Sequence, residues 1–433
     1  MAEETPPRYC SSCHHELKPE DYLFCPNCGT PFMHPPPPPQ PGAGAPGEPA
    51  QEQPAQEEPA AQRGWWRRHP LLSGGLGIIV VLFVFISVVG SLGGGGGGEE
   101  SAKGGADQEN KNSTRSFAGS ASTHGLIAFR RYLDLDLTQS AIFTMYPNGT
   151  HIRQITHPPE GWSDGSPAWS PDGTKVAFHR QATDESTSRI MVLNTKTGDA
   201  RQVQGYRNAV VRGVEGSDPA FSPVGKMLAF KRSDGIWVVA RDGGYSHHVT
   251  YVEKPWWGGA LEFEDSGPAF SPGGSMLVFE RTRLEDDHTA VFVQPIDESA
   301  SPEDARQITP WEMNCGDGPE FSPKGDWVLF GCEPESGSSN LYWVHPNGTG
   351  LEQLTHTDAD KHYVGSSFSP ESKEGWGDIV AARYPAYGDE GNSDVLRMHI
   401  EGLPGMVPSV TGNLTKSETD DDAPDWGTHP PVD

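Results

Sequence analysis

Four cysteines near the N-terminus have the spacing of a zinc site. They are Cys10, Cys13, Cys25 and Cys28, in the pattern C-x2-C-x11-C-x2-C. Four thiolates carried by two tight turns can close a tetrahedron around one Zn²⁺ ion, which leaves no open position for catalysis. His14 and His15 follow the first pair, but the four cysteines already complete the coordination. Two disulfides are the alternative use of these cysteines, and a reducing cytosol disfavours them.

The segment 8–30 resembles the short zinc ribbons at the N-termini of many bacterial membrane proteins. A ribbon of this size is too small to fold without its metal, so the predicted zinc ion is structural. The resemblance names no partner. A role as a folding unit alone and a role in docking a protein are both open.

Five aspartates recur at similar points of the C-terminal part of the chain. They are Asp164, Asp218, Asp265, Asp317 and Asp422. If the strands that follow them line one channel, the five carboxylates would ring its mouth and could hold a cation or a basic peptide. The alternative is that each aspartate bonds local backbone N–H groups at a loop end. His362 stands near the corresponding point of the fifth repeat and interrupts the ring.

One serine has the flanking residues of a catalytic nucleophile. Residues 161–165 match G-x-S-x-G, a motif that needs a sharp strand-to-helix turn. Here the motif leads into a predicted strand, and no helix is predicted after it. We therefore predict no catalytic residue and no enzymatic activity.

The elements that must position these residues form a repeat. Copies of the pattern Pro-x-aromatic-Ser-Pro-x-Gly begin at Pro167, Pro219, Pro268 and Pro319. A weaker copy lies at 367–370 and a degenerate one at 424–427. The period is about 50 residues, the size of one four-stranded propeller blade. In Ser-Pro-x-Gly the proline fixes φ and the glycine accepts a positive φ, which predicts a tight turn between the first two strands.

The chain ends decide the number of blades. Residues 125–156 contain three strands without a first strand, and residues 424–427 contain a first strand alone. Together they make one blade, which closes a ring with five complete blades and removes exposed sheet edges. The predicted fold class is all-β: a six-bladed β-propeller over residues 124–428, with a small zinc ribbon and a single transmembrane helix.

These motifs resemble the TolB-like β-propeller, whose blades carry the same Pro-aromatic-Ser-Pro-Asp-Gly turn. The resemblance covers nearly all of residues 124–428 and implies the six-bladed, WD40-like propeller fold. The same repeat forms the propeller half of some serine peptidases, but no peptidase domain follows here. The protein that gives the family its name also has a separate α/β domain, which has no counterpart in this sequence. The resemblance therefore does not imply that protein's partnership with the Tol–Pal system.

Residues 71–92 are uncharged and apolar. A helix of about 20 such residues spans the hydrocarbon core of a bilayer. A signal peptide and a buried core helix are the alternatives, but the run starts far from the N-terminus and has no polar face. Three arginines and two tryptophans precede it within 63–68, and glutamates follow at 99–100. Basic residues stay inside, so the ribbon is predicted to be cytoplasmic and the propeller extracytoplasmic, joined through linkers at 31–70 and 93–123.

The charge and the remaining cysteines agree with this topology. The net charge of −27 argues against nucleic acid as a partner, because phosphate binding depends on Lys and Arg. Cys315 and Cys332 fall near the ends of neighbouring strands outside the cytosol, where they can form a structural disulfide.

We therefore expect a bacterial cell-envelope protein, a membrane-anchored propeller that acts as a scaffold for a protein, peptide or other ligand. One alternative is an envelope sensor that couples an outside ligand to docking by the ribbon inside. A second is a propeller lyase or hydrolase with a metal at the acidic channel mouth.

Overall fold

The structure is a computed structural model. It describes residues 8–9, 16–17, 125–207, 210–244, 246–250, 252, 262–296, 304–334, 339–356, 361–372, 377–385, 392–400 and 408–428. The four zinc-site cysteines, the apolar run 71–92 and both predicted linkers lie outside these residues. Within them, no helix is long and apolar enough to cross a bilayer.

Six antiparallel sheets of four strands make up nearly all of the described chain. The strands of blades 1 to 5 are β6–β9 (Trp162–Trp169, Lys175–Ala182, Ser188–Asn194, Ala200–Gln202), β12–β15 (Ser217–Phe221, Met227–Arg232, Gly235–Ala240, Ser246–His248), β16–β19 (Phe263–Phe270, Met276–Arg283, His288–Pro295, Arg306–Gln307), β20–β23 (Cys315–Phe321, Val328–Cys332, Asn340–Val344, Glu352–Gln353) and β24–β27 (Lys361–Phe368, Gly377–Pro385, Asp394–Ile400, Ser409–Asn413).

Blade 6 is built from both ends of the domain, as the sequence predicts. Its order is β28 (Asp421–Gly427), β3 (Leu126–Tyr132), β4 (Ser140–Met145) and β5 (Arg153–Gln154). The first strands contact one another in a closed ring, in which β28 touches both β24 and β6. Two further antiparallel pairs are β1 (Arg8–Tyr9) with β2 (Glu16–Leu17), and β10 (Gln204–Arg207) with β11 (Val210–Gly213). The six-bladed propeller is therefore confirmed.

The core lies between the blades. Second strands pack against a neighbouring blade on both faces, so they are continuously apolar rather than alternating. Five phenylalanines at equivalent positions of these strands are among the largest fully buried side chains: Phe129, Phe178, Phe230, Phe279 and Phe330. Blade 5 has Ala381, also fully buried, at this position.

The Ser-Pro-x-Gly segments form the predicted tight turns. In blade 1 the Gly173 N–H donates to the Ser170 carbonyl oxygen at 2.8 Å, with φ of +64° at the glycine. The same bond recurs at Gly225, Gly274 and Gly325. These turns place the end of every first strand on one face of the propeller, here called the turn face. Cys315 and Cys332 face each other across β20 and β21 and form a disulfide.

Every first strand also carries a bulge that the sequence did not predict. The residue before the repeated proline position has a left-handed backbone in all six blades, with φ between +46° and +70°. These residues are Ser166, Asp218, Gly267, Gly318, Gly365 and Ala423. The pairing register with the second strand shifts there in each blade. Such a bulge bends the strand and re-aims its side chains, and here it brings the six strands together around the axis.

Candidate functional site

The first strands enclose a cavity of about 220 Å³ on the propeller axis. Its wall consists of the bulge residues, the adjoining prolines and a few side chains of the second strands. Six carboxylates line it: Asp218, Glu280, Asp317, Glu320, Asp422 and Asp425. The basic side chains in the lining are Arg130 and His179. This cavity is the candidate functional site.

Two of the five predicted aspartates do not line the cavity. Asp164 accepts two hydrogen bonds from Arg180, at 2.6 and 2.8 Å. Asp265 makes the same pair of bonds with Arg281, at the same distances. Each arginine stands opposite its aspartate on the next strand of the same blade. These carboxylates therefore join the first two strands of their own blades through arginine side chains, rather than by bonding backbone N–H groups at a loop end.

Asp422 lines the cavity but is already engaged. It forms a buried, two-pronged ion pair with Arg130 of β3, with Arg130 Nε 2.6 Å from Asp422 Oδ1. The Tyr384 hydroxyl also donates to this carboxylate. Its sequence neighbour Asp421 pairs with Arg131, at 2.7 Å for both bonds. Two ion pairs therefore join the last strand of the domain to the first.

Asp218 and Asp317 are the predicted aspartates that face the cavity without an ion pair. Asp218 accepts bonds from the hydroxyls of Ser166 at 2.9 Å and Ser217 at 3.1 Å. Asp317 Oδ2 is buried and has no hydrogen-bond partner among the described residues. The backbone N–H of Asp317 donates to Glu280 Oε2 at 2.8 Å. The structure thus brings three of the five aspartates to the channel and leaves two of them free of cations.

Sequence analysis missed the channel residues of the second strands. The residue after the buried phenylalanine faces the channel: Arg130, His179, Lys231 and Glu280 in blades 6, 1, 2 and 3. The missed signal was a polar residue at the same place of four of the six apolar second strands. Lys231 is turned to Glu264, 2.6 Å away. Of these four residues, Arg130, His179 and Glu280 therefore line the cavity and Lys231 does not.

Burial shifts the pKa values of several of these groups away from their usual values. It raises the pKa of Glu280. Burial, reinforced by Glu280 and Glu333, raises the pKa of Asp317 well above its usual value. Burial also raises the pKa of Asp425 to about 6 and lowers the pKa of His179. Removing a charge from water costs free energy unless a partner compensates. The channel thus contains several carboxyl groups whose ionised form is not fully stabilised by a cation of the protein.

The channel wall on the side of the turn face differs between two halves of the ring. Glu320, Ser367 and Asp425 follow the proline position in blades 4, 5 and 6. Each accepts a backbone N–H of the next blade: Phe368 at 3.3 Å, Trp426 at 3.0 Å and Trp169 at 2.6 Å. Blades 1 to 3 have Ala168, Ala220 and Ala269 there, which offer no acceptor. The half that contains the ring closure is therefore tied together by side chains.

The other predicted site residues are placed as follows. His362 is buried outside the cavity, and its Nδ1 accepts the Ser339 N–H at 3.2 Å. Ser163 of the G-x-S-x-G segment bonds Ser140. Among the residues that the structure describes, no group of three or more His, Cys, Asp or Glu is arranged to hold a metal ion. The four cysteines of the predicted zinc site are outside those residues.

Comparisons with known proteins give similarities of structure only. No protein-family model matches the chain, and no curated protein has a matching sequence. The chain is similar to TolB from Acinetobacter baumannii, with a TM-score of 0.48 and 18% identity over 70% of this chain and 66% of that one. It is similar to a putative TolB from Agrobacterium tumefaciens, with a TM-score of 0.44 and 19% identity over 67% and 89%. It is also similar to an oligogalacturonate lyase from Vibrio parahaemolyticus, with a TM-score of 0.38 and 14% identity over 63% and 76%. At these values the similarities carry no argument about function, and the six-bladed fold rests on the strand pairing itself.

Proposed function

We propose that this protein is a membrane-anchored, extracytoplasmic propeller that binds a protein or peptide partner at its acidic channel. The observation that carries the proposal is the imbalance of charge in the cavity. Six carboxylates line it, against Arg130 and His179. Arg130 is committed to Asp422, and burial lowers the pKa of His179. A cationic partner favours the ionised form of the carboxyl groups whose pKa is raised by burial, so a concave site rich in them suits a partner of the opposite sign.

The placement of the domain ends supports access to this site. Gly125 begins the described propeller and packs against Gly427 at the end of β28: a Cβ added to Gly125 would lie 2.1 Å from the Gly427 carbonyl oxygen. Both ends therefore lie at the turn face. Asp218, Asp317 and Asp422 lie near the starts of their strands, toward the opposite face. A tether that precedes residue 125 joins the propeller on the side away from these carboxylates.

The membrane anchor of this proposal rests on the uncharged run 71–92 and its flanks. The arginines before the run keep the N-terminus inside the cell. The zinc ribbon is then a cytoplasmic structural module with one metal ion held by four thiolates.

We favour binding over catalysis because of how the polar channel residues are used. Glu320 and Asp425 bond the backbone of the next blade, and Asp422 is held by Arg130. A general acid or base must be free to exchange a proton with a substrate. The groups left free, Asp218 and Asp317, are acceptors that suit a cationic ligand.

The test is affinity capture from cell-envelope extract with the full-length protein in detergent. The channel variant carries Asp218→Asn and Asp317→Asn. The control variant carries Asp199→Asn and Glu185→Gln, which remove one exposed and one half-buried negative charge outside the channel. We expect the wild type and the control to retain partners that the channel variant loses. Retention of these partners should fall as the salt concentration rises. Equal retention by the channel variant would refute it. A C-terminal reporter that is active only in the cytosol would refute the topology.

A further inference from the structure

The channel-facing positions of the second strands divide the ring by charge. Blades 6, 1 and 2 present Arg130, His179 and Lys231, and blade 3 presents Glu280. Blade 4 has Gly331 at the end of its second strand, and its first strand contains one extra residue in the bulge, Asp317. Asp317 also has a left-handed backbone, with φ of +70°. The extra residue places a carboxylate where the second strand has no side chain.

The basic side chains of blades 6, 1 and 2 do not neutralise the acidic side chains of blades 3 and 4. Arg130 is paired with Asp422 and Lys231 with Glu264. His179 is only 8% exposed, and burial lowers its pKa, which favours the neutral ring. A neutral imidazole has one nitrogen that accepts a hydrogen bond. The two charged basic side chains are therefore paired, and the imidazole is favoured as the neutral form. Glu280 already accepts the Ser266 hydroxyl at 2.6 Å and the Asp317 N–H at 2.8 Å, so Asp218 and Asp317 are the acidic groups left to act as acceptors without a cation.

Two buried polar atoms on opposite sides of the cavity have no partner among the described residues. They are His179 Nδ1 and Asp317 Oδ2. Both side chains line the cavity. A buried polar atom without a partner costs free energy, so its presence needs a reason. With the His179 proton on Nε2, both atoms are acceptors, and a cavity with two unsatisfied acceptors lacks a donor.

Glycines make the room for these side chains. A Cβ on Gly165 would lie 2.9 Å from His179 Cε1, and one on Gly331 would lie 2.8 Å from Asp317 Oδ2. A Cβ on Gly316 would lie 2.6 Å from Glu280 Oε2. Each polar group therefore lies against bare backbone. The three positions are built for the polar side chains that cover them.

The cavity is small and its wall is mostly backbone. Its volume of about 220 Å³ is below the roughly 300–1,000 Å³ of pockets for drug-sized ligands. Neighbouring bulges approach closely, since a Cβ on Gly267 would lie 3.3 Å from the Gly318 Cα. Such a space admits one extended side chain or one chain end, but not a folded element.

We propose that the channel binds a single primary ammonium group supplied by the partner, between Asp317, Asp218 and His179. An ammonium is a compact charge with three donors that can point in different directions, and it matches acceptors that come from separate blades. A guanidinium would use its planar fork on the two oxygens of one carboxylate, whereas an ammonium can reach single acceptors of blades 4, 2 and 1 together. The group is the side chain of a lysine or the α-amino group of a chain terminus. This inference rests on the proposed function and specifies its ligand.

The test uses the full-length protein in detergent and three small probes. Nα-acetyl-lysine methylamide carries the side-chain ammonium, alanine methylamide carries an α-amino group, and Nα-acetyl-norleucine methylamide has the lysine-like chain without the charge. Binding is followed by saturation-transfer NMR with titration. We expect saturable binding of one or both amines and none of the norleucine probe. The amine that binds more tightly identifies the source. Equal binding of the norleucine probe would overturn the proposal.

The variant Asp317→Asn separates a binding role from a structural one. The asparagine keeps the shape of the side chain and removes a buried, unpartnered carboxylate, so the melting temperature should stay the same or rise. The amine affinity should fall by about tenfold or more, because a bound ammonium favours the ionised form of Asp317, whose pKa is raised by burial, and asparagine cannot ionise. The control Asp199→Asn should change neither quantity. Unchanged amine binding by Asp317→Asn would overturn the proposal.

The outcomes also separate this inference from the proposed function. If the channel variant loses its partners while neither amine binds to the wild type, the partner-binding role stands and the ammonium site is wrong. If an amine binds and Asp317→Asn abolishes that binding while partner capture is unaffected, the ammonium site stands and the partner-binding role is wrong.

Discussion

Asp422→Asn should weaken the ring closure. The Asp422–Arg130 pair joins β28 to β3, residues 292 apart in sequence, and the two side chains are 1% and 6% exposed. Removal of the carboxylate charge leaves a buried guanidinium without its counter-ion. Breaking such a pair costs about 3–5 kcal/mol. The asparagine oxygen keeps one acceptor, so we expect the lower value, about 3 kcal/mol of unfolding free energy.

This loss converts into a measurable change in melting temperature. Domains of 150–250 residues shift by about 2–4 °C for each kcal/mol, and a propeller of about 300 residues should shift by about 1.5–2 °C, which gives a decrease of about 5–6 °C. Thermal unfolding of the full-length protein in detergent, followed by tryptophan fluorescence, measures it. Asp199→Asn, at an exposed position of a turn, is the matched control. Native-state hydrogen exchange should quicken first in 421–427 and 126–132, since the change loosens closure before the other blades.

A double variant tests the cause of the loss. Asp422→Leu with Arg130→Met removes both charges and leaves apolar side chains of similar size. Replacement of a buried ion pair in this way is often neutral or stabilising, so the double variant should recover most of the loss. The reasoning is wrong if Asp422→Asn melts within about 1 °C of the wild type, or if the double variant is no more stable than the single one.

Three further predictions concern the channel, the closure and the metal. Burial raises the pKa of Asp425 from 3.8 to about 6, so the stability linked to its protonation is fully present below about pH 4 and is lost as the pH rises through 6. Asp425→Asn should therefore remove about 2 kcal/mol from the fall in urea-unfolding free energy between pH 4 and 7, and an unchanged slope would contradict this. Gly427→Ala should lower the melting temperature, because the added Cβ would lie 2.3 Å from Trp169 Cγ. Gly273→Ala is the control, since no atom lies within 4 Å of the added Cβ. Equal melting temperatures of the two variants would argue against the close contact at Gly427. The purified protein should contain one zinc ion per chain and lose it when any cysteine of the N-terminal motif is changed to serine, whereas a metal-free, disulfide-bonded protein would favour the other use of these cysteines.

The blade count was predictable because it depends on local chemistry that repeats. A Ser-Pro-x-Gly turn needs only neighbouring residues, and a period of about 50 residues fixes how many times it is used. The shared blade followed from the same pattern, because residues 125–156 lack a first strand and 424–427 supply one. The pairing of Cys315 with Cys332 also follows from register once the two strands are assigned.

The positions of the carboxylates were not predictable from the same pattern. Relative to the proline position, Asp164 and Asp265 lie three residues before it, Asp317 and Asp422 two residues before it, and Asp218 one residue before it. Successive strand residues point to opposite sides, so a shift of one residue moves a carboxylate from the channel to an ion pair inside the blade. The bulge adds an uneven step that no local residue type signals, since serine, aspartate, glycine and alanine all occupy it.

The two halves of the channel divide structural and binding roles between them. Blades 4 to 6 contain the ring closure, and there Glu320, Ser367 and Asp425 bond the backbone of the following blade. In blades 1 to 3 the same position is alanine, so the side chains neither join the blades nor fill the channel. The groups without ionic partners, Asp218, Asp317 and His179, come from blades 1, 2 and 4 and therefore border this open half. A ligand bound in this half of the channel meets acceptors that have no cation, and it does not displace the contacts that hold the ring closed.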